Sequence, residues 1–261
     1  MRRTVTLLKN VGETPLEVLE RFKAGHREYE SVPLSYAGRL DPMASGKLLV
    51  LIGEECKKQK KYVGLDKCYD IEVLLDVGSD TGDILGLVKS STQTRVPDRT
   101  QVRRILRAEK GTHTIPYPVF SSKTVGGKPL FLYALEGTLD SIHVPTHDET
   151  IYDIRLRDIR SASHTELRRR IDSLLALAPT STAPSKALGA DFRIEAVRTS
   201  WKEVFELPRT YTILRLTVSC GSGTYMRSLA GRIGDALGTK ALALSIHRTR
   251  IGIRRPWWSI L

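Results

Sequence analysis

The sequence predicts an α+β fold, and the arrangement of its strand and helix patterns supports this class. Alternating or fully apolar runs typical of strands recur along the chain, and apolar residues at helical spacing occupy separate segments. The two patterns do not alternate regularly, as they would in a doubly wound sheet. The clearest predicted strands cover residues 48–52, 69–75, 151–156 and 212–218. The predicted helices cover residues 15–23, 99–108 and 225–237.

The ends of the predicted helices carry suitable residues. Residues 14–17, Thr-Pro-Leu-Glu, match a capping box with proline at the first helical position. Leu16, Leu19 and Phe22 then recur at helical spacing. Gly238 suits a left-handed cap after the last helix.

Composition restricts the class of protein. The 261 residues include 41 basic and 29 acidic side chains, which gives a formal charge of +12. This excess favours an anionic partner, most commonly nucleic acid, although a merely basic protein remains the alternative. No apolar stretch approaches the ~20 residues needed to span a bilayer, and the apolar part of the N-terminus is too short for a signal peptide.

The cysteines and histidines give no sign of a metal site. Cys56, Cys68 and Cys220 are widely spaced, odd in number and without a CxxC pair, which argues against zinc and against a disulfide framework. The six histidines form no HxH or HxxxH cluster with acids at helical spacing. We therefore expect no metal, no membrane association and a reducing, cytoplasmic location.

The most informative segment is residues 36–46, Tyr-Ala-Gly-Arg-Leu-Asp-Pro-Met-Ala-Ser-Gly. A single carboxylate, Asp41, lies on a loop containing glycine and proline, directly before the predicted strand at 48–52. Such a loop would hold Asp41 in one place. A helix-cap or turn aspartate is the alternative interpretation of these residues alone.

Two further motifs have structural interpretations. Asp80-Thr81-Gly82 matches the triplet of aspartic proteases, but those enzymes need two such carboxylates side by side, so a turn is favoured. Residues 221–224, Gly-Ser-Gly-Thr, lie between a predicted strand and helix. They lack the features of a P-loop or a dinucleotide site, so either RNA phosphate contact or a tight turn is expected.

Residues 165–178 match a basic amphipathic helix, and a stretch of small residues follows at 179–185. This pattern predicts an insertion at about 160–205 with a flexible connection.

Four ordered blocks resemble the TruB family of tRNA pseudouridine synthases. Residues 36–46 are similar to its catalytic G-H-T-G-x-L-D-P-x-A-x-G motif, although Tyr36 stands in place of the histidine. Residues 67–83 resemble its K-x-Y and T-D-T-x-D segments, and residues 117–130 resemble P-x-Y-S-A-x-K-x-x-G-x-x-L. Residues 218–227 resemble V-x-C-S-K-G-T-Y-I-R, with Ser222 in place of the lysine.

The resemblance implies roles for individual residues. Asp41 would be the catalytic aspartate, Tyr69 would stack on the target base, and Arg227 would pair with Asp41. Tyr225 and Ile246 would line the uracil pocket. The other implied substrate-binding residues are Lys9, Tyr36, Gly38, Arg39 and Lys123.

The resemblance also implies a pseudouridine synthase fold, with a mixed, mostly antiparallel central sheet flanked by helices. The implied function is isomerisation of the T-loop uridine (position 55 of tRNA), without metal or cofactor, by a monomer that binds the tRNA T-arm. Residues 1–261 would form a single catalytic domain without a C-terminal PUA domain. The alternatives are a non-catalytic RNA-binding or tRNA-folding module and a guide-RNA-dependent synthase related to dyskerin.

Overall fold

The computed structural model describes residues 3–91, 96–179 and 192–253. The strands of the described ranges are β1 (Thr4–Lys9), β2 (Leu34–Ala37), β3 (Ala44–Ile52), β4 (Asp66–Leu75), β5 (Val77–Ser79), β6 (Val88–Ser90), β7 (Gly111–Pro116), β8 (Thr124–Val125), β9 (Lys128–Pro129), β10 (Thr146–Ala162), β11 (Tyr211–Cys220) and β12 (Ala241–Gly252). The helices are α1 (Pro15–Ala24), α2 (Gln59–Val63), α3 (Arg99–Ala108), α4 (Leu130–Leu135), α5 (His164–Leu175), α6 (Ile194–Val204) and α7 (Met226–Ala236).

One eight-stranded sheet organises the protein. Its strand order is β1-β3-β12-β4-β11-β10-β7, and β2 also pairs with β3. The pairing is antiparallel except between β12 and β3, which run parallel. Two small hairpins, β5–β6 and β8–β9, lie outside this sheet. The predicted α+β class, with a mixed and mostly antiparallel central sheet flanked by helices, is confirmed.

Each face of the sheet carries its own core, because side chains alternate along every strand. On β4, Ile71 and Val73 belong to a cluster with residues of α3 and α7. Leu74 points to the opposite face and belongs to a cluster with residues of α5 and α6. We call these the first and second core clusters.

The helix ends follow the sequence closely. Thr14 and Glu17 form the predicted capping box of α1. After α7, Gly238 has φ +77°, and the Gly238 and Thr239 amides donate to Asp235 and Gly234 carbonyls, each at 3.0 Å, which is a Schellman motif. Leu16, however, is 48% exposed. The buried stripe of α1 begins at Pro15 and therefore includes Val18 rather than Leu16.

The basic helix predicted at 165–178 is α5. Leu167 and Ile171 of α5 are buried in the second core cluster together with Trp201 of α6. The Trp201 indole also donates to the Ile84 carbonyl at 3.0 Å. The α5–α6 pair is thus part of the core, whereas most of the stretch at 179–185 lies outside the described residues. The proposed insertion at 160–205 stays a prediction.

Within the described ranges, every helix is too short or too polar to cross a membrane.

Candidate active site

The Asp41 loop connects β2 to β3 and is held at both ends by buried cations. Near its start, Arg248 donates from Nη2 to the Gly38 carbonyl at 3.0 Å. Arg248 also donates from Nε to the carbonyl of Lys47, within β3, at 2.7 Å. Near its end, Lys9 donates from Nζ to the Pro42 and Ala44 carbonyls at 2.9 and 2.6 Å. Lys9 and Arg248 are each 1% exposed. The backbone on both sides of Asp41 is therefore fixed by side chains from strands on either side of β3.

Arg227, the second residue of α7, forms the principal contact with Asp41. Its Nε lies 2.7 Å from Asp41 Oδ2. Nη1 donates to the Thr81 carbonyl at 2.6 Å and Nη2 to the Phe120 carbonyl at 3.2 Å. Because all three guanidinium nitrogens are bound, the orientation of Arg227 is determined by three separate segments. Among the described residues, no donor is bonded to Asp41 Oδ1, so this oxygen remains available.

A second carboxylate lies beside the same guanidinium. Asp83 Oδ2 is 3.6 Å from Arg227 Nε, and Asp83 Oδ1 accepts from Thr81 Oγ1 and from the Leu85 amide at 2.7 and 3.0 Å. Burial raises the pKa of Asp83 above its ordinary value, although Arg227 opposes the shift. Burial alone would lower the pKa of Arg227, but Asp41 and Asp83 raise it overall.

Asp83 is a site residue that sequence reasoning missed. The turn interpretation of Asp80-Thr81-Gly82 is confirmed by the hydrogen bonds of this segment. The same turn, however, also supplies an acceptor and a carboxylate to Arg227. Gly82 has φ +77°, and a Cβ there would lie 3.1 Å from the Arg227 carbonyl oxygen, so glycine allows this close approach. One feature of the sequence could have identified Asp83: it stands at the second aspartate of the T-D-T-x-D segment that residues 79–83 resemble.

Tyr69 and Ile246 lie on adjacent strands beside the Asp41 loop. Both belong to the first core cluster with Leu40 and Ala44, and Ile246 is in register with Ala44 across the β12–β3 pairing. Burial raises the pKa of Tyr69 to about 12, while the neighbouring Arg248 opposes the shift. The Tyr69 hydroxyl is therefore neutral near pH 7. The family resemblance gave no role to its neighbour Arg248.

Tyr225 precedes α7 and lies at the partly exposed side of the site. Its ring meets Tyr117 and His147 edge-on, with centroid distances of 6.3 and 5.7 Å. The Tyr117 and His147 rings stack on each other at 4.0 Å. Burial raises the pKa of Tyr225, and the charge of Asp41 adds to this shift. A cluster of three aromatic rings thus lies next to the Asp41–Arg227 pair.

The predicted substrate-binding residues Tyr36, Arg39 and Lys123 lie outside this buried centre. Arg39 is exposed and donates to Ser122 Oγ at 2.7 Å and to the Tyr36 hydroxyl at 3.3 Å. Lys123 Nζ lies 4.8 Å from the centroid of Tyr117. Arg39 therefore connects the Asp41 loop to the segment that carries Lys123.

Lys9, another predicted substrate-binding residue, is buried, unlike Arg39. Its ammonium group contacts three backbone carbonyls, those of Asn10, Pro42 and Ala44. Burial lowers the pKa of Lys9 to about 8. Lys9 therefore supports the loop, and its predicted contact with substrate stays a prediction.

The two remaining sequence hypotheses concern the turn at 221–224 and metal binding. Ser222 Oγ donates to the Val63 carbonyl at 2.8 Å, and Thr224 Oγ1 donates to the Gly221 carbonyl at 3.2 Å. These side chains stabilise the tight turn before α7. In the ranges that the structure describes, no three His, Cys, Asp or Glu side chains are grouped to hold a metal ion.

The fold is that of the pseudouridine synthases. The structure of a Cbf5-Nop10-Gar1 complex matches with a TM-score of 0.56 and 18% identity, over 96% of this chain and 49% of that chain. The structure of an archaeal box H/ACA sRNP Nop10-Cbf5 complex matches with a TM-score of 0.51 and 18% identity, over 96% of this chain and 48% of that chain.

Sequence comparison assigns the family. The protein-family model described as TruB family pseudouridylate synthase (N terminal domain) matches residues 27–173, so the chain belongs to this family. "tRNA pseudouridine synthase B" of Caldicellulosiruptor saccharolyticus is 25% identical over 94% of this chain and 66% of the relative. The Bacillus licheniformis protein of that name is 29% identical over 94% of this chain and 64% of the relative. The chain thus spans less than two thirds of these two relatives.

Proposed function

We propose that this protein is a tRNA pseudouridine synthase that converts the T-loop uridine (position 55 of tRNA) to pseudouridine, with Asp41 as the catalytic residue. The observation that carries the proposal is the Asp41–Arg227 pair, in which the arginine side chain is 5% exposed and the aspartate side chain 36% exposed. A fixed carboxylate that still faces the surroundings can meet a nucleoside. The names of the curated relatives and the +12 charge support tRNA as the substrate.

The proposed reaction uses groups that this chain supplies. Isomerisation breaks the N1–C1′ bond of uridine and forms a C5–C1′ bond, while C5 loses a proton and N1 gains one. The reaction has no net redox change and takes no group from outside, so it needs no cofactor. An ionised carboxylate can act as nucleophile or base at such a centre, and Asp41 Oδ1 would be the reacting oxygen.

Tyr69, Tyr225 and Ile246 would receive the target base. A uridine must leave its stack to reach Asp41, at a cost of about a few kcal/mol, which stacking on Tyr69 can offset in part. Arg227, Tyr69 and Ile246 are buried, and this burial would limit access of water to the detached base. Tyr36, Gly38, Arg39 and Lys123 would contact the surrounding RNA, as proposed from the sequence.

We further propose that the protein is a cytoplasmic monomer that binds the T-arm of tRNA. An unmodified tRNA transcript is incubated with the protein, and pseudouridine is mapped by chemical labelling and primer extension. A transcript with cytidine at the target position is the control. The proposal expects pseudouridine at that single position without a guide RNA.

Other outcomes of the same experiment favour the alternatives. Tight tRNA binding without pseudouridine would favour a non-catalytic RNA-binding module. Modification that appears only with an added guide RNA would favour a guide-dependent synthase. Either result would overturn the proposed function.

A further inference from the structure

Two consecutive residues before α6 adopt an unusual backbone conformation. Phe192 and Arg193 have φ of +50° and +54°, and within the described ranges the only other non-glycine residue with positive φ is Asp76. Such residues cost free energy and persist only where the surroundings determine their conformation. Phe192 packs against the second core cluster, and this packing helps to hold its backbone conformation. Arg193 is held by contacts of its side chain.

The Arg193 side chain binds two segments that belong to the candidate active site. Its Nη1 and Nη2 donate to the two carboxylate oxygens of Asp80 at 2.7 and 3.2 Å. Its guanidinium carbon lies 4.7 Å from the centroid of the Phe120 ring. A bidentate ion pair combined with a cation–π contact fixes both partners more firmly than a single charge contact would.

These two segments are the ones that orient Arg227. The Thr81 carbonyl, which accepts from Arg227 Nη1, directly follows Asp80 in the chain. The Phe120 carbonyl, which accepts from Arg227 Nη2, belongs to the residue whose ring lies under Arg193. Arg193 and Arg227 therefore bind the same two segments. Arg193 directly precedes α6 and belongs to the α5–α6 pair, which we call the α5–α6 unit. Arg227 belongs to α7.

We propose that Arg193 is a positioning residue, through which the α5–α6 unit holds Arg227 and hence Asp41 in their working orientation. Arg193 acts through Asp80 and Phe120 and need not touch the substrate. Its effect on turnover rests on the proposed function, whereas its effect on Arg227 does not. The segment that the sequence marks as an insertion would then be a required part of the catalytic centre.

The first test is steady-state kinetics of pseudouridine formation by Arg193→Gln. We expect kcat to fall about 10- to 100-fold, because small misplacement of a catalytic group costs that much, with KM nearly unchanged. Arg198→Gln is the matched control, since Arg198 is an exposed residue of α6, the helix that follows Arg193, and pairs with Glu195. Arg193→Lys should retain part of the activity, because it keeps the charge beside Asp80 but not the bidentate geometry.

A second variant covers the case in which Arg193→Gln fails to fold. Arg193→Gly accepts the left-handed backbone without strain and removes the same contacts. We expect it to keep the thermal midpoint of the wild type within a few degrees and still to lose turnover. Normal kcat in a folded Arg193→Gly or Arg193→Gln protein would overturn the proposal.

A measurement without substrate separates this proposal from the proposed function. The exchange of the Arg227 Nε hydrogen with water is followed by ¹⁵N NMR in the wild type, Arg193→Gln and Arg198→Gln. Faster exchange in Arg193→Gln alone is expected. If the wild type does not modify tRNA, the proposed function fails, and this exchange rate alone decides the role of Arg193. Equal rates in all three proteins would overturn it.

Discussion

Arg227 and Asp41 form an ion pair with unequal surroundings: the guanidinium is 5% exposed and the carboxylate 36% exposed, with 2.7 Å between Nε and Oδ2. The buried partner is held by carbonyls from two other segments, whereas the accessible partner lies on a loop held at both ends. In the proposed function, this asymmetry would separate the positioning group, Arg227, from the reacting group, Asp41.

Removal of Arg227 should destabilise the fold as well as abolish turnover. Arg227→Met leaves the buried carboxylate of Asp83 without its cation, and breaking a buried pair costs about 3–5 kcal/mol. Urea denaturation at pH 7 measures the loss. The double variant Arg227→Met/Asp83→Asn should recover a large part of it, and a double variant as unstable as Arg227→Met alone would contradict this account.

Asp83→Asn should affect stability in a pH-dependent way. Because the pKa of Asp83 is raised in the folded protein, its ionised form disfavours folding above that pKa. The folded state binds the proton more readily than the unfolded state, so this contribution disappears as pH falls toward the unfolded value of about 3.9. The free energy of unfolding of the wild type should therefore rise relative to Asp83→Asn as pH is lowered through this window.

Denaturation of wild type and Asp83→Asn in parallel between pH 4 and pH 7 measures this difference. A constant difference across the range would contradict a raised pKa. Catalysis should fall in the variant at every pH, because Arg227 loses one of its two carboxylate neighbours.

Lys9→Met should lower turnover with little effect on RNA affinity. Lys9 binds loop carbonyls and is 1% exposed, so its loss loosens the Asp41 loop and leaves the RNA surface intact. A filter-binding Kd within about two-fold of the wild type, together with a kcat lowered about ten-fold or more, is expected. An equally large loss of affinity would instead support the contact with substrate inferred from the sequence.

The lowered pKa of Lys9 gives a second check. Since the pKa in the folded protein is about 8, the folded state releases this proton before the unfolded state does, whose pKa is about 10.4. Stability of the wild type relative to Lys9→Met should thus rise as pH increases from about 8 toward 10.4. Lys67 has a pKa lowered to about 8 by burial as well, and comparison of the two proteins cancels its contribution.

Binding of tRNA should weaken steeply with salt, because contacts to phosphates release counterions. A plot of log K against log salt concentration should have a negative slope. Arg39→Ala and Lys123→Ala should each make it shallower by about one unit or less. Lys202→Ala, an exposed substitution on α6, is the control and should leave the slope unchanged.

The sequence predicts the elements better than the contacts between them. Capping residues and apolar patterns identify the principal strands and helices, because those signals are local. Residues such as Asp83, Arg193 and Arg248 give no such signal, since their partners lie up to about two hundred positions away in the chain. The Asp41–Arg227 pair was expected only because of the family resemblance. Its geometry follows from the way α7 docks on the sheet.

The most direct test of the account is single-turnover release of tritium from tRNA labelled at C5 of uridine. We expect the wild type and Asp172→Asn, an exposed aspartate of α5, to release tritium at equal rates. Asp41→Asn should release none above background, although its tRNA affinity stays close to that of the wild type. Release by Asp41→Asn at a rate comparable to that of the wild type would show that the Asp41 carboxylate does not carry the reaction.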